Sequence, residues 1–295
     1  MTLPEMRRLV LDSVAAWKAD FAPSMGAALS YYTIFSIAPL LVIVIAIAGL
    51  VFGEAAAKGA IFDQLRGMVG DNGAAAVQGL VRSASRPASS IIAAFTGFVT
   101  LILGATTVLG ELQSDLDRIW RAPPVEKGGF WRVLRARASS FGLILVLGFL
   151  LLVSLVLSAA IMALGHWWGP WFGRMRWLLE ALNFTVSFFV VVALFAMIYK
   201  ILPRVRIGWR DVWIGAAVTA LLFTIGKFLI GLYIGKSGVS SGFGAAGSVI
   251  VLLVWVYYSA QIFLLGAEFT VLYAYRHGSL QGQERPVGLP DPVKP

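Results

Sequence analysis

The chain of 295 residues is 59% hydrophobic and 13% charged, with no cysteine, two histidines and a formal net charge of +9. A soluble domain carries about 25% charged residues, whereas here the apolar residues fall in runs of about 20, enough to cross ~30 Å of hydrocarbon. The lack of cysteine excludes disulfides, thiolate catalysis and cysteine-held metals, and the basic balance reads as membrane orientation and attraction to anionic lipid rather than nucleic acid.

The pattern predicts an all-α polytopic membrane protein, six transmembrane helices in one bundle with a helical external lid loop. Residues 1–26 read as an N-terminal amphipathic cytoplasmic segment, with Leu9, Val10, Val14 and Trp17 towards lipid or protein. No cleavage site follows a short apolar core, so no cleaved signal peptide is expected. Residues 27–275 form the transmembrane domain, with spans at Ala27–Phe52, Ile91–Gly110, Ser139–Leu164, Leu178–Tyr199, Val212–Ile234 and Gly247–Tyr275. Residues 276–295 read as a disordered cytoplasmic tail. With both termini inside, 16 of the 24 Lys and Arg residues lie on cytoplasmic segments and seven on external ones, as the positive-inside rule requires. Nine of the ten Trp residues fall near predicted span ends, where an amphipathic ring suits the headgroup region.

The external loop 53–90 is expected to form two short helices, Glu54–Val69 and Ala74–Ala84, broken at Asp71-Asn72-Gly73. Ile61, Leu65 and Met68 share one face of the first, and Val77, Leu80 and Val81 one face of the second, as in a lid packed on the bundle. The cytoplasmic loop 111–138 mixes Arg118, Arg121, Lys127, Arg132, Arg135 and Arg137 with Phe130, Trp131 and Leu134. That mixture suits a helix on an anionic leaflet, at about 1 kcal/mol per basic residue. Arg132, Arg135 and Arg137 are the expected contacts to anionic phospholipid, and no nucleic-acid partner is expected.

An ionisable group inside a span costs about 2.5–3.5 kcal/mol, so each needs a reason to be there. Lys227 is the clearest, about 22 Å from the cytoplasmic end of the fifth span. It falls on a stripe with Ala216, Ala220, Thr224 and Gly231 against which another helix can pack. Tyr258, Gln261, Leu265 and Glu268 share a face of the sixth span. By helical rise Gln261 lies near the depth of Lys227, and Glu268 lies about 10 Å from the inner end. Glu180, Asn183 and Ser187 share a face near the outer end of the fourth span, with Glu180 a candidate partner for Lys227. Ser30, Thr33 and Ser36 precede Pro39, which removes a backbone donor mid-membrane and is expected to kink or open the first span. The expected polar cavity is therefore lined by Lys227, Gln261, Glu268, Tyr258, Glu180, Asn183, Ser30, Ser36 and Pro39. The competing reading is that these groups only tie helices together.

No HExxH, phosphate-binding glycine loop or carboxylate cluster with metal spacing is present in the sequence. His166 and His277 lack an obvious triad partner, so no catalytic residue, metal or cofactor is assigned. Nothing in the sequence sets the oligomeric state.

Ala28-Leu29-Ser30-Tyr31-Tyr32 with Phe35-Ser36 and Pro39-Leu40, and Leu112-Gln113, Leu116 and Ile119-Trp120, resemble motifs of a known family. So do Pro203 with Trp209-Arg210-Asp211 and Gly215-Ala216, and the closing stretch Gly244 to Glu268 with Trp255, Tyr257 and Leu265-Gly266-Ala267-Glu268. Together they resemble the BrkB/YihY family of bacterial inner-membrane proteins, long labelled ribonuclease BN, over about residues 15 to 275. Phe243 and Asp117 stand where that family commonly has Tyr and Asn. The resemblance implies a six-span protein linked to envelope integrity, with transport of lipid or solute as its expected work. The nuclease label fits poorly, because hydrolysing RNA needs metal ligands or an acid–base pair that these loops lack.

Overall fold

The computed structural model describes residues 3–84, 91–123, 142, 146, 148, 176–205, 207–236 and 247–283. Seven long helices and no strand lie among them: α1 Leu3–Ala19, α2 Ala22–Phe52, α3 Glu54–Ala84, α4 Ile91–Ile119, α5 Arg176–Ile201, α6 Trp209–Lys236 and α7 Gly247–His277. Four stretches, Ala22–Leu50, Ala181–Ile201, Trp209–Tyr233 and Val249–His277, are long and apolar enough to cross a membrane. They coincide with the first, fourth, fifth and sixth expected spans. A helix is the natural form for such sequences, since it pairs its own backbone donors and acceptors where no water can. The expected second span forms the first part of α4. The expected third span lies outside the described residues except for Gly142, Val146 and Gly148.

The N-terminal helix is part of the core. Leu9, Asp12, Ser13 and Ala16 form one buried face of α1, which packs on the C-terminal end of α7. Val10 on the other side is 46% exposed. The chain then turns at Asp20 and Phe21, where Phe21 takes a left-handed conformation at φ 58°. α2 begins at once with Pro23 in its first turn, five residues before the expected span. It stays helical through Pro39 rather than opening. The bulk of that ring is met by Gly104 of α4, where a Cβ would come 2.9 Å from the proline Cγ.

α3 departs from the sequence expectation in one respect. Its break falls at Gly70 (φ 74°, ψ 176°), and Asp71, Asn72 and Gly73 are helical. Glycine reaches positive φ without steric cost, so the turn settles on the residue that can make it. Val77 and Val81 are buried with Ala38, Leu41 and Ile45 of α2 and Leu252 of α7, and Ile61 and Leu65 pack against the same cluster. These partners lie in the half of α2 remote from α1.

Helices α6 and α7 meet through small residues. A Cβ on Gly215 would come 1.8 Å from Thr270 Oγ1, one on Gly266 1.9 Å from Thr219 Oγ1, and one on Gly226 2.4 Å from Ile262 Cδ1. The Tyr199 hydroxyl of α5 closes this contact, donating to the Phe263 carbonyl at 2.7 Å and lying 3.1 Å from Thr219 Oγ1. The small-residue stripe thus runs through Gly215, Thr219 and Gly226 as well as Ala216 and Ala220. At about 100° per residue, that rotation carries Lys227 and Gly231 to the exposed side of α6.

Candidate functional site

Charges gather where α1, the α1–α2 turn, the end of α4, the α5–α6 connection and the end of α7 come together, called here the α1 end. Asp20 Oδ1 accepts from Arg121 Nη2 at 2.7 Å, with both side chains largely buried. Asp12, 1% exposed on its side chain, pairs with Arg276 of α7. Asp117 Oδ1 accepts from the Arg204 backbone N–H at 2.9 Å, and its other oxygen lies 3.4 Å from Arg204 Nε. Asp211, in the first turn of α6, accepts from the Ser279 N–H at 2.7 Å, while Ser279 Oγ accepts from the Gly208 N–H at 3.0 Å. Removing one member of a buried pair strands the other, typically at about 3–5 kcal/mol. These pairs therefore fix α1, α4, α6 and α7 to one another.

Glu268 stands apart from this pairing. It is fully buried, and neither of its oxygens has a hydrogen-bond partner at ordinary distance among the described residues. Its electrostatic neighbours are the Asp20 carboxyl and the Arg121 guanidinium. Two carboxylates therefore share one guanidinium. Both sides of the Asp20–Arg121 pair are set by left-handed backbone at non-glycine residues, Phe21 at φ 58° and Arg121 at φ 52°. Such conformations persist only where surrounding contacts enforce them.

Helices α2 and α7 pack on each other and both carry buried polar groups, called here the α2–α7 seam. Two helical turns from Glu268, Gln261 has neither amide atom hydrogen-bonded among the described residues, and its Nε2 lies 2.0 Å from where a Cβ on Gly26 would be. Gly26 thus leaves the space that the amide fills. Farther along α2, Ser30 donates to the Ala27 carbonyl and Thr33 to the Leu29 carbonyl, so both are satisfied within the helix. Ser36 is buried with its hydroxyl unpaired. Tyr258 turns its ring edge towards Gly226 of α6.

Of the expected cavity residues, Glu268 of α7 and Ser36 of α2 are buried and the half-buried Gln261 has a buried amide, while Pro39 meets Gly104 of α4 and Tyr258 meets Gly226 of α6. Lys227 is exposed on α6, beside Ile225 and Phe228, which are 51% and 67% exposed. Asn183 on α5 has a buried, unpaired Oδ1. Glu180 lies in α5, but its side chain is outside the described residues, as are Arg132, Arg135 and Arg137. Asp12, Asp20, Arg121 and Arg276 were not among the expected site residues. Their signal is present in α1: Leu9, Asp12, Ser13, Ala16 and Asp20 recur at helical spacing, which places two acids on the apolar face.

Two further carboxyls lie beyond Gly110 on α4. Burial pushes Asp115 up to about 7, with Glu111 adding to the rise and Arg118 opposing it. Burial also raises Asp117, against the lowering effect of Arg204. Beside them an open cleft of about 270 Å³ is lined by Gln113, Ser114, Asp117, Arg118 and Arg204. No group of three or more acids or histidines placed to hold a metal occurs among the described residues.

The family model described as Virulence factor BrkB matches residues 13–288, which take in α2 to α7 and the last part of α1. The chain belongs to the BrkB family. A UPF0761 membrane protein of Stenotrophomonas maltophilia is 28% identical over 257 residues, 83% of this chain and 56% of that one. Another from Verminephrobacter eiseniae is 28% identical over 280 residues, 91% of this chain and 62% of its own length. A third, from Yersinia pestis, is 31% identical over 180 residues, 59% of this chain and 57% of the relative. The chain thus spans a little over half the length of these relatives. No solved structure matches it. This BrkB-family chain is a membrane protein, and the matched region contains every residue of the seam and of the Asp20–Arg121–Glu268 cluster.

Proposed function

We propose that this BrkB-family protein moves a lipid or a small solute across the bacterial inner membrane along the α2–α7 seam. In this reading six spans cross the bilayer, both termini are cytoplasmic, the α1 end is the cytoplasmic end and α3 is the external lid. The observation that carries it is the set of buried polar groups at Glu268, Gln261 and Ser36 that have no hydrogen-bond partner among the described residues. An unsatisfied buried polar group costs about 1–3 kcal/mol, and three on two packed helices are costly for a merely structural contact. Polar groups facing a bundle interior are the usual mark of a substrate or ion path. The basic loop with Arg132, Arg135 and Arg137 would hold anionic phospholipid at the entrance. The role is not enzymatic: the perturbed carboxyls face arginines and helix interiors rather than a paired nucleophile and base.

A second reading, a non-catalytic envelope or assembly protein, is favoured by the buried ion pairs and the Tyr199 lock, which bind the helices tightly. Proteoliposomes carrying a headgroup-labelled lipid and an impermeant quencher separate the two. Transport predicts quenching beyond one leaflet in protein-containing vesicles, lost in Gln261→Leu with folding intact. For lipid movement, quenching equal to that of protein-free vesicles contradicts the reading.

A further inference from the structure

We infer that Asp20 and Glu268 together hold a single exchangeable proton, which makes the α1 end a proton-binding site. The argument is one of charge and hydrogen bonding. Among the described residues the pair faces one cation, Arg121, whose Nη2 donates to Asp20 Oδ1 at 2.7 Å. Ionising both acids would leave one uncompensated negative charge in a place where Glu268 is 0% and Asp20 5% exposed. Like charges sharing a buried site do not both ionise at neutral pH; they share a proton. The unpaired atoms agree. Among the described residues, Asp20 Oδ2 and both Glu268 oxygens have no ordinary hydrogen-bond partner, and a proton between the carboxyls supplies the missing donor.

Several charged and polar groups on the elements around the pair hold partners of their own. Arg276 of α7 holds Asp12 of α1, and Arg204 holds Asp117 of α4. Asp211 of α6 accepts from the Ser279 backbone, and the Tyr199 hydroxyl of α5 is bonded to the Phe263 carbonyl. Arg276 and Arg204 are thus engaged with other acids. The proton comes from water at the α1 end and returns there, bound at a carboxylate oxygen with no other bond made or broken. Because the pair joins the α1–α2 turn to α7, its protonation state sets how tightly that turn is held.

Infrared spectroscopy of the full chain in lipid nanodiscs tests this without any substrate, so its outcome is separable from that of the transport reading. At neutral pH the wild type should show a protonated-carboxyl C=O component that is lost in Glu268→Gln and equally in Asp20→Asn. In either variant the remaining acid ionises against Arg121. Asp115 can contribute a component too, but that one persists in both variants. A spectrum with no component lost in either variant overturns the inference. Each substitution imitates a neutral carboxyl in shape, so both should insert and fold; if one does not, the other decides. Failure of both overturns the inference as well.

Discussion

The α3 helix and the α1 end both pair opposite charges, and use them in opposite ways. On α3, Lys58 pairs with Glu54 at 2.5 Å and Arg66 with Asp63 at 3.1 Å and Asp71 at 2.9 Å, all within a few residues and all well exposed. At the α1 end the partners are 87 to 264 residues apart and at least one acid in each pair is largely buried. Local exposed pairs adjust the helix that carries them, and they are weakened by water and salt. Buried distant pairs decide which helices meet and leave a stranded charge when broken. The difference marks α3 as packing attached to α2 and α7, and the α1 end as the place where the assembly is specified.

The largest expected effect follows from removing the shared cation. Arg121→Met should cost about 3–5 kcal/mol, seen as a large drop in melting temperature in detergent. Adding Asp20→Asn should recover most of it, because the remaining acid can stay neutral. An unchanged melting temperature in the single variant would erase the contrast between the two regions. Glycine positions sharpen the same contrast at the next scale. Gly266→Ala places a Cβ 1.9 Å from Thr219 Oγ1 and 2.7 Å from the Tyr199 hydroxyl, and should cost about 1–3 kcal/mol through overpacking. Thr219→Ala should relieve it. Gly79→Ala on α3 meets nothing within 4 Å and should be neutral or stabilising by up to about 1 kcal/mol through helix propensity.

A smaller effect comes from Asp115. Its carboxyl is raised from 3.8 to about 7, so the folded state binds this proton more tightly than the unfolded state does. The resulting stability is complete below about pH 4 and is lost as pH rises towards 7. Asp115→Asn should flatten the pH dependence across that window and stabilise the protein at pH 8 by about 1–2 kcal/mol, a figure discounted for partial solvation. Melting curves at several pH values check both sign and window. The smallest effect is Lys58→Ala, which should leave the melting temperature unchanged, because its pair with Glu54 is exposed and local.

Much of this architecture is legible in the sequence. Long apolar runs place α2, α5, α6 and α7 because a bilayer admits little else. Glu268 and Gln261 stand out because polar residues in such runs are rare. What the sequence conceals is rotation and partnership. A stripe through Ala216, Ala220 and Lys227 and another through Gly215, Thr219 and Gly226 both have helical spacing. Only the approach of Thr270 and Ile262 decides which of them faces α7. The Asp20–Arg121 pair spans 101 residues, and no local pattern links its partners. The break in α3 moved to Gly70 because Asp-Asn-Gly is an equally good turn on composition, while the packing of Val77 and Val81 fixed the helix phase.

The most direct test of the central claim, that the α2–α7 seam is a water-reachable path and not a sealed contact, uses the absence of native cysteine. Gln261→Cys and Leu264→Cys would be made singly, and labelling by a small membrane-impermeant thiol reagent compared in inside-out vesicles. Leu264 is fully buried in the core and serves as the sealed reference. The account predicts that Gln261→Cys reacts from the cytoplasmic side while Leu264→Cys does not. Equal lack of reaction at both positions, in folded protein, would contradict it.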